Sequence, residues 1–548
     1  MSFPAGRLAP AVWPTALLPG LRLLWTRTLF PGTAAVDPGL RLRSLILLVV
    51  LPAVALYPRL DFRLLEPDEG RYAEIAREML VRGDWVVPHL QGEPYLDKPP
   101  LLYWLVVLSY KLFGVHAWAA RLVPAVAVHG TILVTYLFGR RLVGERAAVR
   151  GAVLLALTPG LVGMGRLLVL DGLLTFWVTL ALFAGYCAYQ AHPRRRVGRF
   201  LLCATACGFG ILTKGPVILV LVIIPLLLHR RLTTGSFGIR PRTVAAFAAV
   251  VMLITAPWYV AVSLARPDFG AYFFLKHNLQ RFLSPFDHLE PVWFYAPVVL
   301  GGLMPGTLLL WGFARWLRSG DADAARGRTP AVGFCLLAGG WCVLFFTLSG
   351  SKLPTYILPS FAPLSLALGC YWESTKIQAP NPKPQAGRGS GWDLVLGIWC
   401  LLLVFAQAVA LPWYAELRSP MGAPATELRS LCSDPATAVC CYPRNCDSAA
   451  FYLGRDDLRP TRSKFVHLLV ADLLTRDRTV VLFTHNHSLA ALKFALPPDL
   501  RVTHEVSCRR RVPGPAFLTP LIGETPWGLC DVAVIERTRP LPPADGRP

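Results

Sequence analysis

Charge is scarce in this 548-residue sequence: only 16% of its residues are Asp, Glu, Lys or Arg, against about a quarter in soluble globular domains. Acids are the scarcer sign, 33 against 55 basic residues, leaving a formal charge of +22. There is no P-loop and no Gly-x-Gly-x-x-Gly after a strand-like run, so no nucleotide cofactor is expected. The thirteen cysteines include no Cys-x-x-Cys pair, which removes the usual zinc and thioredoxin-type spacings. No signal peptide is expected either. Residues 1–43 are Pro- and Arg-rich with short, broken apolar stretches, and they read as a cytoplasmic tail.

Uncharged apolar runs fill the sequence instead, scattered from Leu45 to Leu411, and hydrophobic residues make up 54% of the chain. Many runs are long enough to cross a bilayer core of about 30 Å. In a soluble protein the basic excess would suggest nucleic acid. Here the basic residues sit in short clusters between apolar runs: Arg140, Arg141, Arg146 and Arg150, then residues 194–199, 229–242, 315–328 and 373–388. That is the pattern that orients membrane helices, and no nucleic-acid partner is expected. With each cluster inside, the expected spans are 44–60, 119–139, 151–166, 172–190, 200–213, 216–228, 243–264, 292–314, 331–349, 354–372 and 393–412. Eleven crossings place the tail outside. Residues 101–113, short and aromatic-rich, read as an interfacial helix. Two short spans meet at Lys214, Gly215 and Pro216, a break near the outer surface.

Three regions follow: the tail 1–43, a membrane domain 44–412 with an external loop 61–118, and a C-terminal region 413–548. Short β-like runs at 479–483 and 532–535 alternate there with helical stretches at 463–474 and 489–496, suggesting a small α/β domain with a disordered Pro-rich end. Its six cysteines (Cys432, Cys440, Cys441, Cys446, Cys508 and Cys530) suggest disulfides in an oxidising compartment. The seven others lie in apolar runs as small hydrophobes.

Chemistry-bearing groups gather on one side. Pro67, Asp68 and Glu69 open a helix with carboxylates at its positive end. Spacing alone favours a capped amphipathic helix with a solvated acidic end. Yet Glu66, Asp68 and Glu69 are three acids within four residues at a membrane surface, and crowded carboxylates acquire shifted pKa values. Asp97 and Lys98 close the loop; such a lysine either snorkels or binds phosphate as a point charge. Asp171, Lys214, Lys352, Tyr356 and the cluster Lys276, His277, Asn278, Gln280 and Arg281 fall at outer span ends. Together they suggest one outward-facing polar cavity.

The segments PDEGRYAEIAREMLVRGDWVVPHLQGEPYLDKPPLLYW, LTKGP, FFLKHNLQRF and KLPTYILPSFAP resemble the membrane glycosyltransferases of the lipid A 4-amino-4-deoxy-L-arabinose transferase type. These are relatives of the protein O-mannosyltransferases with the GT-C fold. The resemblance covers residues 44–372 in order; the tail matches in kind, as a periplasmic domain. It implies an α-helical polytopic membrane protein of the bacterial inner membrane and a donor sugar on a polyprenyl phosphate. It also implies a lipid or other envelope acceptor, joined to the sugar in a periplasm-facing cavity. Carried over by motif, Asp68 would be the catalytic carboxylate, and Arg71, Lys98, Arg281 and Tyr356 would hold the donor phosphate. Glu69, Asp171, Lys214 and Lys352 would line the cavity. Asp97 stands where the family's usual EKP has Glu, and with His277 it is the candidate pair for a divalent metal ion, on a shorter arm. Gly70 stands where the family often has Thr or another small polar residue. A polysaccharide ligase or polymerase would share membrane and donor. A secondary transporter would instead show repeat-related broken helices at the midplane, and no internal repeat is visible.

Overall fold

The computed structural model describes residues 38–236, 240–274, 288–377, 391–418, 425–443, 445–460, 465–484, 488–507 and 531–539. The chain begins with α1 (Pro38–Leu56), then α2 (Asp68–Arg82), a two-residue hairpin β1 (His89–Leu90) and β2 (Glu93–Pro94), and α3 (Leu101–Phe113). The bundle continues with α4 (Ala117–Leu142), α5 (Glu145–Ala156), α6 (Pro159–Gly165), α7 (Leu170–Tyr189), α8 (Pro193–Lys214), α9 (Val217–Thr234) and α10 (Pro241–Ala265). It closes with α11 (Tyr295–Gly302), α12 (Leu310–Arg318), α13 (Ala322–Gly327), α14 (Pro330–Leu348), α15 (Phe361–Ile377), α16 (Gly391–Phe405) and α17 (Leu411–Arg418).

Eight of these helical stretches are long and apolar enough to cross a membrane, and ten do so when the bent pairs α5–α6 (62°) and α11–α12 (101°) each count as one span. The tenth expected span, 354–372, is a 3-10 turn (Pro354–Ser360) leading into the 17-residue α15. It sits inside the bundle because glycines let backbones touch: a Cβ on Gly369 would lie 2.5 Å from the Gly151 nitrogen. Small residues at such crossings replace the hydrophobic drive that lipid removes. The spans expected at 200–213 and 216–228 are longer than the apolar count suggested, because α8 and α9 carry their basic ends along as helix. Gly215 (φ 85°) lies between them in a conformation open to glycine. The last span likewise runs past 412, to Glu416. The 13 residues of α3 make about 20 Å of helix, too little to cross. It is packed between α2 and α4, with Leu102, Tyr103, Val106 and Val107 buried. The expected tail 1–43 lies outside the described residues up to residue 37; α1 begins at Pro38.

The remaining part is a small α/β unit. Strands β3 (Ala438–Tyr442), β4 (Arg459–Pro460), β5 (Arg478–Phe483), β6 (Leu500–Ser507) and β7 (Asp531–Arg537) form one sheet in the order β4-β3-β5-β7-β6. Strand β3 runs parallel to both β4 and β5, whereas β7 runs antiparallel to β5 and β6. Val480 to Phe483 and Val532 to Ile535 are buried on both faces, which is why both runs read as continuous apolar stretches rich in valine. Helices α18 (Ala425–Leu431), α19 (Asp447–Leu453), α20 (Val466–Leu473) and α21 (Ser488–Ala495) cover the sheet. The cysteines depart from expectation. Cys432, Cys440 and Cys441 are buried free thiols, Cys432 and Cys440 each pushed up to about 11 by burial. Cys508 and Cys530 lie outside the described residues.

Candidate active site

The two ends of the bundle differ chemically. At one end Arg140 pairs with Glu145 (3.4 Å) and Arg150 with Glu373, and Arg230 lies over the Tyr189 ring at the end of α7. At the other end the loop that carries α2 and α3 packs on α4, α7, α8 and α10 in one apolar cluster that includes Tyr72, Leu102, Leu173, Leu212 and Trp258. The candidate site is at this second end.

Two buried arginines, neither expected from the motifs, hold the loop in place. Arg121 of α4 is fully buried and grips Glu69 with Nε (2.8 Å) and Nη2 (2.8 Å). Its remaining donors reach the carbonyls of Leu60, Phe62 and Arg63. Arg166 donates to the carbonyls of Leu56 (3.0 Å), Pro58 (2.7 Å) and Arg59 (3.2 Å), the chain leaving α1. A planar five-donor guanidinium suits this bracing. The signal was present in AWAARLVP, since an arginine inside an apolar run is costly unless fully used.

Glu69 was expected to line the cavity. Instead it is buried (2% exposed) and serves as a strut: besides Arg121, it accepts from the backbone nitrogens of Leu65 (2.9 Å) and Leu168 (2.7 Å). Its neighbour Asp68, one position earlier on the helix, turns the other way. The Asp68 carboxylate is 49% exposed and meets Arg71 at 3.3 Å. Of the three crowded acids, only Asp68 is both open and paired.

Arg71 sits in the wall of a cavity of about 450 Å³ with Tyr95, Asp97, Arg266, Tyr272 and Asn445. Its guanidinium lies between two carboxylates, Asp68 and, at 3.9 Å from Nε, Asp447 at the start of α19. Burial pulls Arg71 down, but Tyr95, Tyr72, Asp68 and Asp447 together hold it above the ordinary arginine value. Much of its charge is therefore already matched within the protein. The sheet domain contributes more than Asp447. The Ser448 nitrogen donates to Glu66 Oε1 (2.6 Å), the Leu64 nitrogen to the Tyr452 hydroxyl (2.9 Å), and Arg82 pairs with Asp456 (2.7 Å). Gly70 permits this approach, because a Cβ there would lie 2.5 Å from the Ser448 nitrogen. Burial first, and the charge of Asp447 second, push Glu66 up to about 7.

A second cluster joins three expected residues. Lys214, at the end of α8, donates to Asp171 Oδ1 (2.6 Å) in the first turn of α7 and lies 4.4 Å over the Tyr356 ring. The buried Tyr72 stands beside Arg71 on α2, and burial first, then Tyr95 and Asp68, raise its pKa well above the usual tyrosine value. Lys352, by contrast, is buried and bound: its Nζ donates to the Glu290 carbonyl (2.9 Å) and its nitrogen to that of His288 (2.9 Å). It fastens the loop ahead of α11. Lys98 adjoins Asp97 in the turn leading to α3. Arg281 and His277 lie outside the described residues.

The metal expectation can be tested only on Asp97. Its carboxylate accepts from the Tyr272 hydroxyl at 2.7 Å, and no group of three His, Cys, Asp or Glu among the described residues could hold a metal ion. Its expected partner His277 lies outside the described residues, and the mechanism proposed for the site uses no metal.

The crystal structure of ArnT from Cupriavidus metallidurans bound to undecaprenyl phosphate superposes with a TM-score of 0.68, at 21% identity, over 91% of this chain and 98% of that one. The chain has the GT-C fold. It is a multi-pass membrane protein, and it resembles the GT-C enzymes in sequence as well. Residues 41–273 match the family described as dolichyl-phosphate-mannose-protein mannosyltransferase. The undecaprenyl phosphate-alpha-4-amino-4-deoxy-L-arabinose arabinosyl transferase of Edwardsiella ictaluri is 40% identical over 363 residues, 64% of this chain and 62% of that protein. The protein of the same name from Aeromonas salmonicida is 37% identical over 355 residues, 63% and 62% respectively. The chain thus spans 62% of the length of each of these two relatives.

Proposed function

We propose that this protein is a membrane glycosyltransferase that moves a sugar from a polyprenyl-phosphate donor to lipid A or another envelope acceptor. Its site would face the periplasm from the bacterial inner membrane. The observation that carries the reading is Asp68: an open carboxylate paired with Arg71, which itself stands in the wall of a polar cavity, in a fold shared with a polyprenyl-phosphate-binding protein. The similarity to the two aminoarabinose transferases supports the same class.

In this reading Asp68 takes the proton of the acceptor hydroxyl as its oxygen attacks the anomeric carbon. The bond from that carbon to the donor phosphate oxygen breaks, and polyprenyl phosphate leaves with the electron pair. The configuration inverts in this single displacement. Cations at the leaving oxygens lower the barrier by matching the charge that develops there; Lys98 and Arg281 take that role, and the Tyr356 hydroxyl adds a neutral hydrogen-bond donor. Arg71 divides its charge between Asp68 and Asp447 and chiefly orients the base. Lys214, fixed by Asp171 and Tyr356, and the Glu69–Arg121 strut keep the walls in register.

The test is a comparison of lipid masses from cells lacking the gene and cells complemented with wild type or Asp68→Asn. Loss of a sugar from lipid A or another glycolipid, restored by wild type and not by the variant, is the expected result. Restoration by Asp68→Asn would remove Asp68 from the base role. An unchanged lipid profile in the deletion would defeat a lipid acceptor.

A further inference from the structure

The end of the bundle opposite the candidate active site carries a cavity of about 570 Å³ between α12 and α15. The sequence LWGFARWLR makes α12 two-sided: Phe313 and Trp316 are buried, whereas Trp311 (77% exposed), Arg315 and Arg318 face outward. Gly312 brings the helix close, since a Cβ there would sit on the Tyr371 hydroxyl. The two arginines, Trp311, Trp316 and Tyr371 all line the cavity. We propose that this cavity binds the headgroup of an anionic phospholipid.

Three observations carry the assignment. First, the positive charge is uncommitted: among the described residues neither Arg315 nor Arg318 has an acidic partner. The acid lining the cavity, Asp321, accepts from the Ala324 nitrogen (3.4 Å) as the cap of α13. The adjacent Arg328 donates through Nη1 to the carbonyls of Trp316 (2.8 Å), Leu317 (3.0 Å) and Ser319 (2.6 Å), and so fixes the end of α12. Second, the Trp316 indole N–H is buried with no hydrogen-bond partner among the described residues, a cost that a bound acceptor oxygen would relieve. Third, the exposed Trp311 and Leu308 continue the cavity wall as an apolar face. A phosphodiester among two guanidiniums with an acyl chain along Trp311 satisfies all three. Free phosphate leaves the apolar face uncovered, and a zwitterionic headgroup brings its own cation.

The location agrees. Tyr371 follows Tyr356 by fifteen residues, about 22 Å along a helix, so the cavity is distinct from the Lys214–Asp171–Tyr356 cluster. It is at the end where the Arg clusters gather, which the charge pattern assigns to the cytoplasmic leaflet, and basic pockets between helices there suit anionic headgroups. The inference rests on the membrane reading alone and not on transferase activity.

The test uses the purified, delipidated full-length chain with dioleoylphosphatidylglycerol, dioleoylphosphatidylcholine or inorganic phosphate, read by native mass spectrometry and thermal melting. Wild type should retain phosphatidylglycerol in preference to phosphatidylcholine and gain no stability from phosphate. Arg315→Gln with Arg318→Gln should weaken that retention about 25-fold, at roughly 1 kcal/mol for each arginine. Trp316→Phe, which keeps the packing and loses the N–H, should weaken it severalfold. Equal retention of the two lipids, an intact preference in the double variant, or an equal effect of phosphate would overturn the proposal. If the variants fail to accumulate, a photoactivatable phosphatidylglycerol on wild type decides: labelled peptides from α12 and α15 support the site, and labelling elsewhere overturns it.

Discussion

Replacing Glu66 by Gln tests the contact between the loop and the sheet domain through its dependence on pH. Glu66 accepts from the Ser448 nitrogen on Oε1, while Oε2 is buried with no partner among the described residues. Burial and the neighbouring Asp447 push its pKa up to about 7 from 4.5. A carboxyl raised on folding favours the folded state below about pH 4.5. That advantage fades as pH rises and is lost above about 7, because the folded protein then holds a poorly solvated charge. At roughly 1.4 kcal/mol per pH decade, the window amounts to about 3 kcal/mol. Gln keeps the acceptor for Ser448 and puts an N–H₂ toward the partnerless side, so it mimics the protonated acid at every pH. Thermal melts of the purified protein at pH 4 and pH 8 should show Glu66→Gln equal to wild type at pH 4 and more stable at pH 8, on the order of 5 °C. Glu74, also pushed up to about 7 by burial, leaves the variant with a slope of its own. A variant whose melting follows wild type across the whole range would refute the argument, as would stabilisation confined to acid pH.

Gly70→Ala should loosen the same contact by about 1–3 kcal/mol through overpacking against Ser448, despite the better helix propensity of alanine. Faster tryptic release of the sheet domain would register the loosening, and wild-type protection would refute it. Lys214→Met leaves Asp171 largely buried without its cation, at a cost of about 3–5 kcal/mol. Adding Asp171→Asn should recover most of that in thermal melts, whereas additive losses would show that the pair is not a unit. Asp68→Asn should abolish transfer while membrane insertion and melting temperature stay unchanged, because the carboxylate is half exposed and its loss leaves no buried group unmatched.

The sequence by itself determined what depends on local composition and order. Apolar runs long enough for a bilayer, separated by arginine clusters, specify membrane helices because lipid admits little other backbone. The valine-rich apolar runs near residues 480 and 533 specify buried strands, and α3 is too short to span by residue count alone. The grouping of Asp171, Lys214 and Tyr356 was legible as well, since all three fall at span ends on one side. Adjacent residues were not separable in this way. Asp68 and Glu69 differ by about 100° around one helix, and only packing against Arg121 decides that Glu69 is a strut while Asp68 stays open. Lys352 looked like a cavity cation until the Glu290 carbonyl took its ammonium. Asp447 could not have been found at all, because it reaches Arg71 across more than three hundred residues of chain. Local pattern fixes which face of an element is apolar; where two such faces meet, and therefore which charges end up paired, is a property of the packed molecule.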